Sequence, residues 1–173
     1  CLRASRNEFD PIKQIYDRLT TLEKMGHPLD KLEIIVLGGT VLEYPREYLS
    51  YFTTQIFYIC NIYPFIDSRP MLSLEEEQNI NMTADIRIIG YTLETRPDGI
   101  DHESIYYLRS LGVTRMQIGI QHTNNELLKI VNRGHTVEDS IRALKLLKDS
   151  GIKVICHLMP DLPYATKEQD IEM

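Results

Sequence analysis

The chain has 173 residues, 43% of them apolar, 25% charged and 8% aromatic, a mix that excludes disordered, collagen-like and disulfide-stapled classes. Nineteen Lys and Arg against 25 Asp and Glu give a formal charge of −6, which excludes a chain-wide positive field, so any nucleic-acid contact has to be local or supplied from elsewhere. No run reaches the roughly 18 apolar residues of a membrane span and no signal-peptide layout opens the chain, so the expectation is one ordinary core in a soluble intracellular protein without membrane contact.

In chain order, Asp10-Pro11 followed by Ile12, Ile15, Leu19 and Leu22 at helical spacing predicts an amphipathic helix over 10–25, ending at Gly26. Leu32 to Leu37 is short, β-branched and nearly all apolar, the pattern of a strand covered on both faces, and it stops at Gly38-Gly39. A helix opens at Tyr44-Pro45-Arg46-Glu47 and runs to about Cys60. Pro64, Asp67 and Pro70, with Glu75, Glu76, Glu77, Asn79 and Asn81, predict a partly irregular connection whose acidic patch is a solvated face.

A second strand is predicted over 86–93 and a helix through Ile105, Leu108 and Leu111 to Gly112. A third strand follows over 115–120, then helices over 126–131 and 137–147, with Gly151 as C-cap, and a fourth strand over 153–158. Alternating strands and helices mean an α/β fold with a parallel sheet and right-handed crossovers, either part of a (β/α) barrel or a doubly wound sheet. Cys1, Cys60 and Cys156 are odd in number and far apart, which fits reduced thiols and no zinc or iron-sulfur spacing.

The unusual polar residues fall just past the strand C-termini, the face on which such barrels and sheets place ligands. Gly38-Gly39-Thr40 leaves backbone N–H groups uncovered, open to an amino acid, phosphate or nucleotide, or forms a plain turn. Glu94-Thr95-Arg96-Pro97-Asp98 can orient a ligand by charge-assisted hydrogen bonds, or close on itself as an Arg–carboxylate pair. Alternation turns Gln117, Gly119 and Gln121 to one face. In Asn132-Arg133-Gly134-His135-Thr136, Arg133 and His135 can clamp an anion, while the structural alternative has Gly134 ending one helix and Thr136 capping the next. His157 reads as a hydrogen-bonded rim histidine, and Met159-Pro160-Asp161-Leu162-Pro163 as a stiff lip against which an adenine can pack.

Together, in this order, Gly38-Gly39-Thr40, Glu94 to Asp98, Ile118 to Gln121, Asn132 to Thr136 and His157 to Pro163 resemble the radical S-adenosylmethionine (SAM) domain of the catalytic subunit of Elongator, the tRNA wobble-uridine acetyltransferase family. The resemblance runs over nearly the whole chain. It implies a partial (β/α) barrel, a 4Fe-4S cluster, SAM and acetyl-CoA, and a reaction building a carboxymethyl-type group on the wobble uridine of tRNA through a SAM-derived radical. It implies SAM contacts at Gly38, Gly39 and Thr40, where the usual third residue is Glu, and further contacts at Glu94, Arg96, Gln121, Met159 and Pro160. It implies an acetyl-CoA contact at Lys31, tRNA and other Elongator subunits as partners, and a cytoplasmic location with the nucleus open as well.

In the family the cluster cysteines lie upstream of Cys1 and an acetyltransferase domain follows the barrel, so the expectation is an internal part of such an enzyme, residues 1–173 of the barrel domain, inactive by itself. Gln117 stands where the family has Glu. Two other readings stay open: another radical-SAM enzyme similar to oxygen-independent coproporphyrinogen oxidases, or a cluster-less barrel kept for tRNA or subunit binding. The basic residues look scattered along the chain, so the tRNA surface is expected mostly outside it or on partner subunits.

Overall fold

The computed structural model describes residues 2–66 and 68–173; Cys1 and Asp67, and the readings made for them, lie outside the described residues. Contacts divide the chain into two compact units, Cys1–Ile34 with Tyr44–Gly90, and Ile35–Glu43 with Tyr91–Met173.

In the first unit a short helix, α1 (Leu2–Arg6), which the sequence did not signal, precedes α2 (Pro11–Lys24). Asp10 caps α2, its carboxylate accepting from Lys13 N, and Pro11 sits at the first turn, where its missing N–H costs nothing. The apolar stripe of α2 buries Leu19 against Cys60, Ile86 and the partly buried Ile15, Leu29 and Leu32. Strand β1 (Lys31–Ile35) follows, and α3 (Arg46–Ile62) buries Tyr58, Ile59 and Ile62 against Ile12, Ile15 and Tyr16.

The predicted irregular connection instead contains a helix, α4 (Leu74–Asn81). Ser73 caps it in a reciprocal capping box with Glu76. The acidic patch is not uniformly solvated, because Glu77 is fully buried. Its carboxylate accepts from both Arg69 Nη atoms at 2.6 and 2.7 Å, from Asn61 Nδ2 at 2.8 Å and from Leu72 N at 3.0 Å. Burial would raise the Glu77 carboxyl, but these donors outweigh it and hold it below the usual carboxylate range. Asn81 completes the network, donating to Ile86 O and accepting from Ile88 N at the entry to β2 (Arg87–Thr95).

In the second unit β2 leads through a 3-10 turn at Pro97–Gly99 to α5 (His102–Ser110), capped by Asp101. Then come β3 (Arg115–Gln121), α6 (Asn125–Ile130), α7 (Val137–Asp149), β4 (Lys153–Leu158) and a helix absent from the sequence reading, α8 (Lys167–Glu172). The four strands form one sheet in the order β1-β2-β3-β4. β2 to β4 are parallel, and the bonds Arg87 N to Asp30 O and Val36 N to Thr92 O run β1 the same way. This is the α/β sheet read from the alternation.

Strand burial is less uniform than the apolar runs predict. β3 is buried from Met116 to Gln121, whereas Lys31, Glu33 and Ile35 of β1 and Ile155, Cys156 and Leu158 of β4 are exposed. β1 and β4 are the outer strands of this sheet and β3 lies inside it, but β2, also inside, exposes Arg87 and Ile89 before its buried second half.

Candidate cofactor site

All the strand-end motifs except Lys31 belong to the second unit. β3 and β4 stay in register from Arg115 opposite Lys153 to Ile118 opposite Cys156, then slip so that Gln121 faces Leu158. Gln121 has φ 72°, and the irregularity re-aims the strand end as a bulge does. Gln117 and Gln121 are both buried. A Cβ on Gly119 would stand 2.9 Å from Gln121 Nε2, 3.3 Å from Arg133 Nη2 and 3.9 Å from Thr95 O. The bare glycine is therefore the floor on which an amide, a guanidinium and the end of β2 converge.

Several polar atoms at these strand ends are buried with no partner: Thr95 Oγ1, Gln117 Oε1, Gln121 Oε1, Arg133 Nε and His135 Nδ1. Each such atom costs about 1–3 kcal/mol unless something satisfies it. Acceptor oxygens beside a guanidinium suit a zwitterion, whose ammonium and hydroxyls find oxygens while its carboxylate finds the guanidinium.

The 132–136 segment does both things read from its sequence. Thr136 caps α7 in a capping box with Asp139, and Asn132 and Gly134 take the left-handed φ values of 53° and 76° that let the chain turn back. That turn lays Gly134 on the Arg96 guanidinium, 3.6 Å from where a Cβ would be, and buries His135 with Nε2 3.1 Å from Ile120 O. Arg96 donates from Nε to Asp98 Oδ1 at 2.9 Å and from Nη2 to Asp98 Oδ2. The guanidinium holds the Asp98 carboxyl below its usual range, and the carboxylate raises Arg96. The Arg–carboxylate closure thus forms, and it props the loop that carries Arg133.

At the end of β1, Gly38 (φ 133°) and Gly39 (φ 82°) are exposed, with nothing within 4 Å of where a Cβ would be, and Thr40 follows half-buried. These backbone amides can be approached closely by a ligand. Glu94 Oε1 lies 3.4 Å from His157 Nδ1, which makes that histidine a rim partner of Glu94. The lip is tied down at its start and its middle: Met159 N donates to Gln121 O, and Asp161 N donates to Asp170 Oδ2 at 2.8 Å. The other Asp170 oxygen is 3.3 Å from Nε2 of buried His122, so α8 joins the lip to the end of β3. Met159 and Pro160 stay exposed. Lys31 is an exposed residue of the first unit.

Sequence reading did not place Thr95 in the site and missed the His122–Asp170 tie. Nothing in the sequence signals a contact between residues 48 positions apart. Among the described residues, no three His, Cys, Asp or Glu side chains come together as a metal site. Cys60 is buried, its thiol pushed up to about 12 by desolvation, and burial also raises Cys156 on β4. The described residues therefore fit SAM but do not supply iron-sulfur ligands. No described helix is long and apolar enough to cross a membrane.

The model of the Radical SAM superfamily matches residues 17–173, and the chain belongs to that superfamily, whose cofactors are SAM and a 4Fe-4S cluster. Among its relatives, the tRNA uridine(34) acetyltransferase of Methanocaldococcus infernus is 43% identical over 99% of this chain and 31% of its own length. Human Elongator complex protein 3 is 37% identical over 99% of this chain and 30% of its own length. A solved structure of the M. infernus Elp3 with an N-terminal deletion superposes with a TM-score of 0.89 at 44% identity, over 96% of this chain and 38% of that one. The chain thus spans about a third of the length of the relatives it matches.

Proposed function

We propose that this chain is the radical-SAM portion of a tRNA wobble-uridine acetyltransferase, working with tRNA, acetyl-CoA and, in a cytoplasmic or nuclear setting, other Elongator subunits. The observation that carries the reading is that Gln121 and Arg133, whose Nε2 and Nη2 converge over Gly119, each keep a buried polar atom without a partner, Gln121 Oε1 and Arg133 Nε, as do Thr95 Oγ1 and Gln117 Oε1 on β2 and β3. The Methanocaldococcus relatives are named tRNA uridine(34) acetyltransferase, and the Arg96–Asp98 closure under the 132–136 loop gives both motifs a joint purpose at the site.

In this reading Gly38, Gly39 and Thr40 meet the amino-acid end of SAM through backbone amides and a hydroxyl. Gln121 and Thr95 accept from its ammonium or ribose hydroxyls, and Arg133 takes its carboxylate. Glu94, steadied by His157, is a rim acceptor, while Arg96 spends its fork on Asp98 and acts by holding the loop. Met159 and Pro160 offer an apolar edge for adenine. Bound there, SAM supplies hydrogen-abstracting one-electron chemistry; the chain's own part is to orient it and keep its charged end desolvated. Lys31 faces a CoA phosphate.

The test uses the full-length, cluster-loaded protein. Arg96→Ala should lower SAM-dependent cleavage and acetyl-CoA hydrolysis at least tenfold, with tRNA affinity nearly unchanged. Unaltered turnover would remove the Arg96 closure from the site.

A further inference from the structure

The scattered basic residues of the sequence are not all scattered in the fold. In the first unit, Arg3 and Arg6 of α1 and Arg18 of α2 line one open hollow of about 290 Å³, together with Thr21 and Asp17. Arg3 and Arg6 stand one turn apart on α1, and Arg18 and Thr21 one turn apart on α2. Two left-handed residues, Glu8 (φ 55°) and Phe9 (φ 60°), turn the chain between the helices and bring these faces together. All three arginines are exposed.

Among the described residues, none of these guanidiniums has a carboxylate within ion-pair distance. This sets them apart from the neighbouring cation Lys13, which is paired with Glu8, and from Arg69, Arg96 and Arg142, each of which has its acid. Among the described residues, Asp17 is the single carboxylate lining the hollow, against three positive charges. A chain carrying −6 overall thus holds a local excess of unpaired arginine in one concave place. Arginine presents a planar fork that grips phosphate through two parallel N–H bonds, whereas the Thr21 hydroxyl already donates to Asp17 O at 2.8 Å. A single small anion would need one fork. Three forks on two helices suit a polyanion whose charges repeat along a backbone.

We infer that Arg3, Arg6 and Arg18 form a binding site for the phosphate backbone of the RNA substrate. This rests on the reading of the chain as part of a tRNA-modifying enzyme. The contacts carry no base information, since a guanidinium on phosphate fixes register and orientation only.

The test is binding of full-length protein to an unmodified tRNA, followed by fluorescence anisotropy over a series of salt concentrations. The slope of log K against log salt falls by roughly 0.7–0.9 for each phosphate contact removed. R3Q/R6Q/R18Q should therefore lower the slope by about 2 to 3 and weaken binding at least tenfold near 0.1 M salt, while R3K/R6K/R18K should recover most of the slope. SAM binding, read by calorimetry on the same preparations, should match the parent in both variants, which also reports that they are folded. Parent-like tRNA slope and affinity in the glutamine variant would overturn the site and leave the enzyme reading intact. A parent protein that binds SAM but no tRNA would overturn the RNA reading itself, and the site with it. Loss in the glutamine variant of binding to a poly-glutamate peptide, with tRNA binding kept, would likewise overturn it and assign the hollow to an acidic protein.

Discussion

At the scale of single residues, Gly119 is the most informative position. Its lost Cβ would touch Gln121 Nε2 and Arg133 Nη2, which are the free ends of flexible side chains, so an added methyl displaces them without forcing the backbone. Gly119→Ala should therefore cost about 1 kcal/mol or less in stability, read by denaturant melts, while weakening SAM binding tenfold or more in calorimetry. A variant that loses both together would make Gly119 a packing residue. The sequence offered part of this. Alternation on β3 put Gln117, Gly119 and Gln121 on one face, and the strand is buried on both faces from Met116 to Gln121, while the Arg133 segment was read as an anion clamp or a plain helix junction. The slip opposite β4 that gives Gln121 its φ of 72° has no local signature, because it depends on how β3 and β4 pair.

At the scale of elements, α4 shows why apolar periodicity missed a helix. Leu74 and Ile80 are too few to mark a stripe, and the residue that anchors α4 is a buried acid. Removing one member of such a pair leaves an uncompensated buried charge, so Glu77→Ala should destabilise by about 3 kcal/mol, measured by urea unfolding. The pH sign follows from the direction of the shift. The Glu77 carboxyl lies below its ordinary 4.5 in the fold, so its contribution is complete above 4.5 and lost as pH falls through the folded value. Acid unfolding below pH 4.5 should be shallower in Glu77→Gln than in the parent. In the second unit, α8 works through one side chain. Asp170→Ala should release the Asp161 amide and speed its hydrogen exchange at least tenfold, while the amides of β3 keep their protection. Equal protection at Asp161 in both proteins would show that the lip is held by Leu162 packing instead.

At the scale of the whole chain, the order of strands and helices was legible because each parallel strand announces itself as a short β-branched run stopped by glycine or a polar motif. What composition could not show is where charge collects. A formal −6 and a scatter of arginines describe the chain, yet the turn at Glu8 and Phe9 gathers Arg3, Arg6 and Arg18 around one hollow. Likewise, β1, β4 and the first half of β2 are partly exposed, and an apolar run reads the same whether the fold covers one face or two.

The unpartnered atoms at the β2 and β3 ends are the centre of the functional reading, and calorimetric titration of the full-length, cluster-loaded protein with SAM tests them directly. One SAM should bind per chain, and Gln121→Ala with Arg133→Ala should each lose about tenfold in affinity, roughly 1.4 kcal/mol, without a matching loss of thermal stability. Binding as tight as the parent's in the combined variant would contradict the assignment of this site.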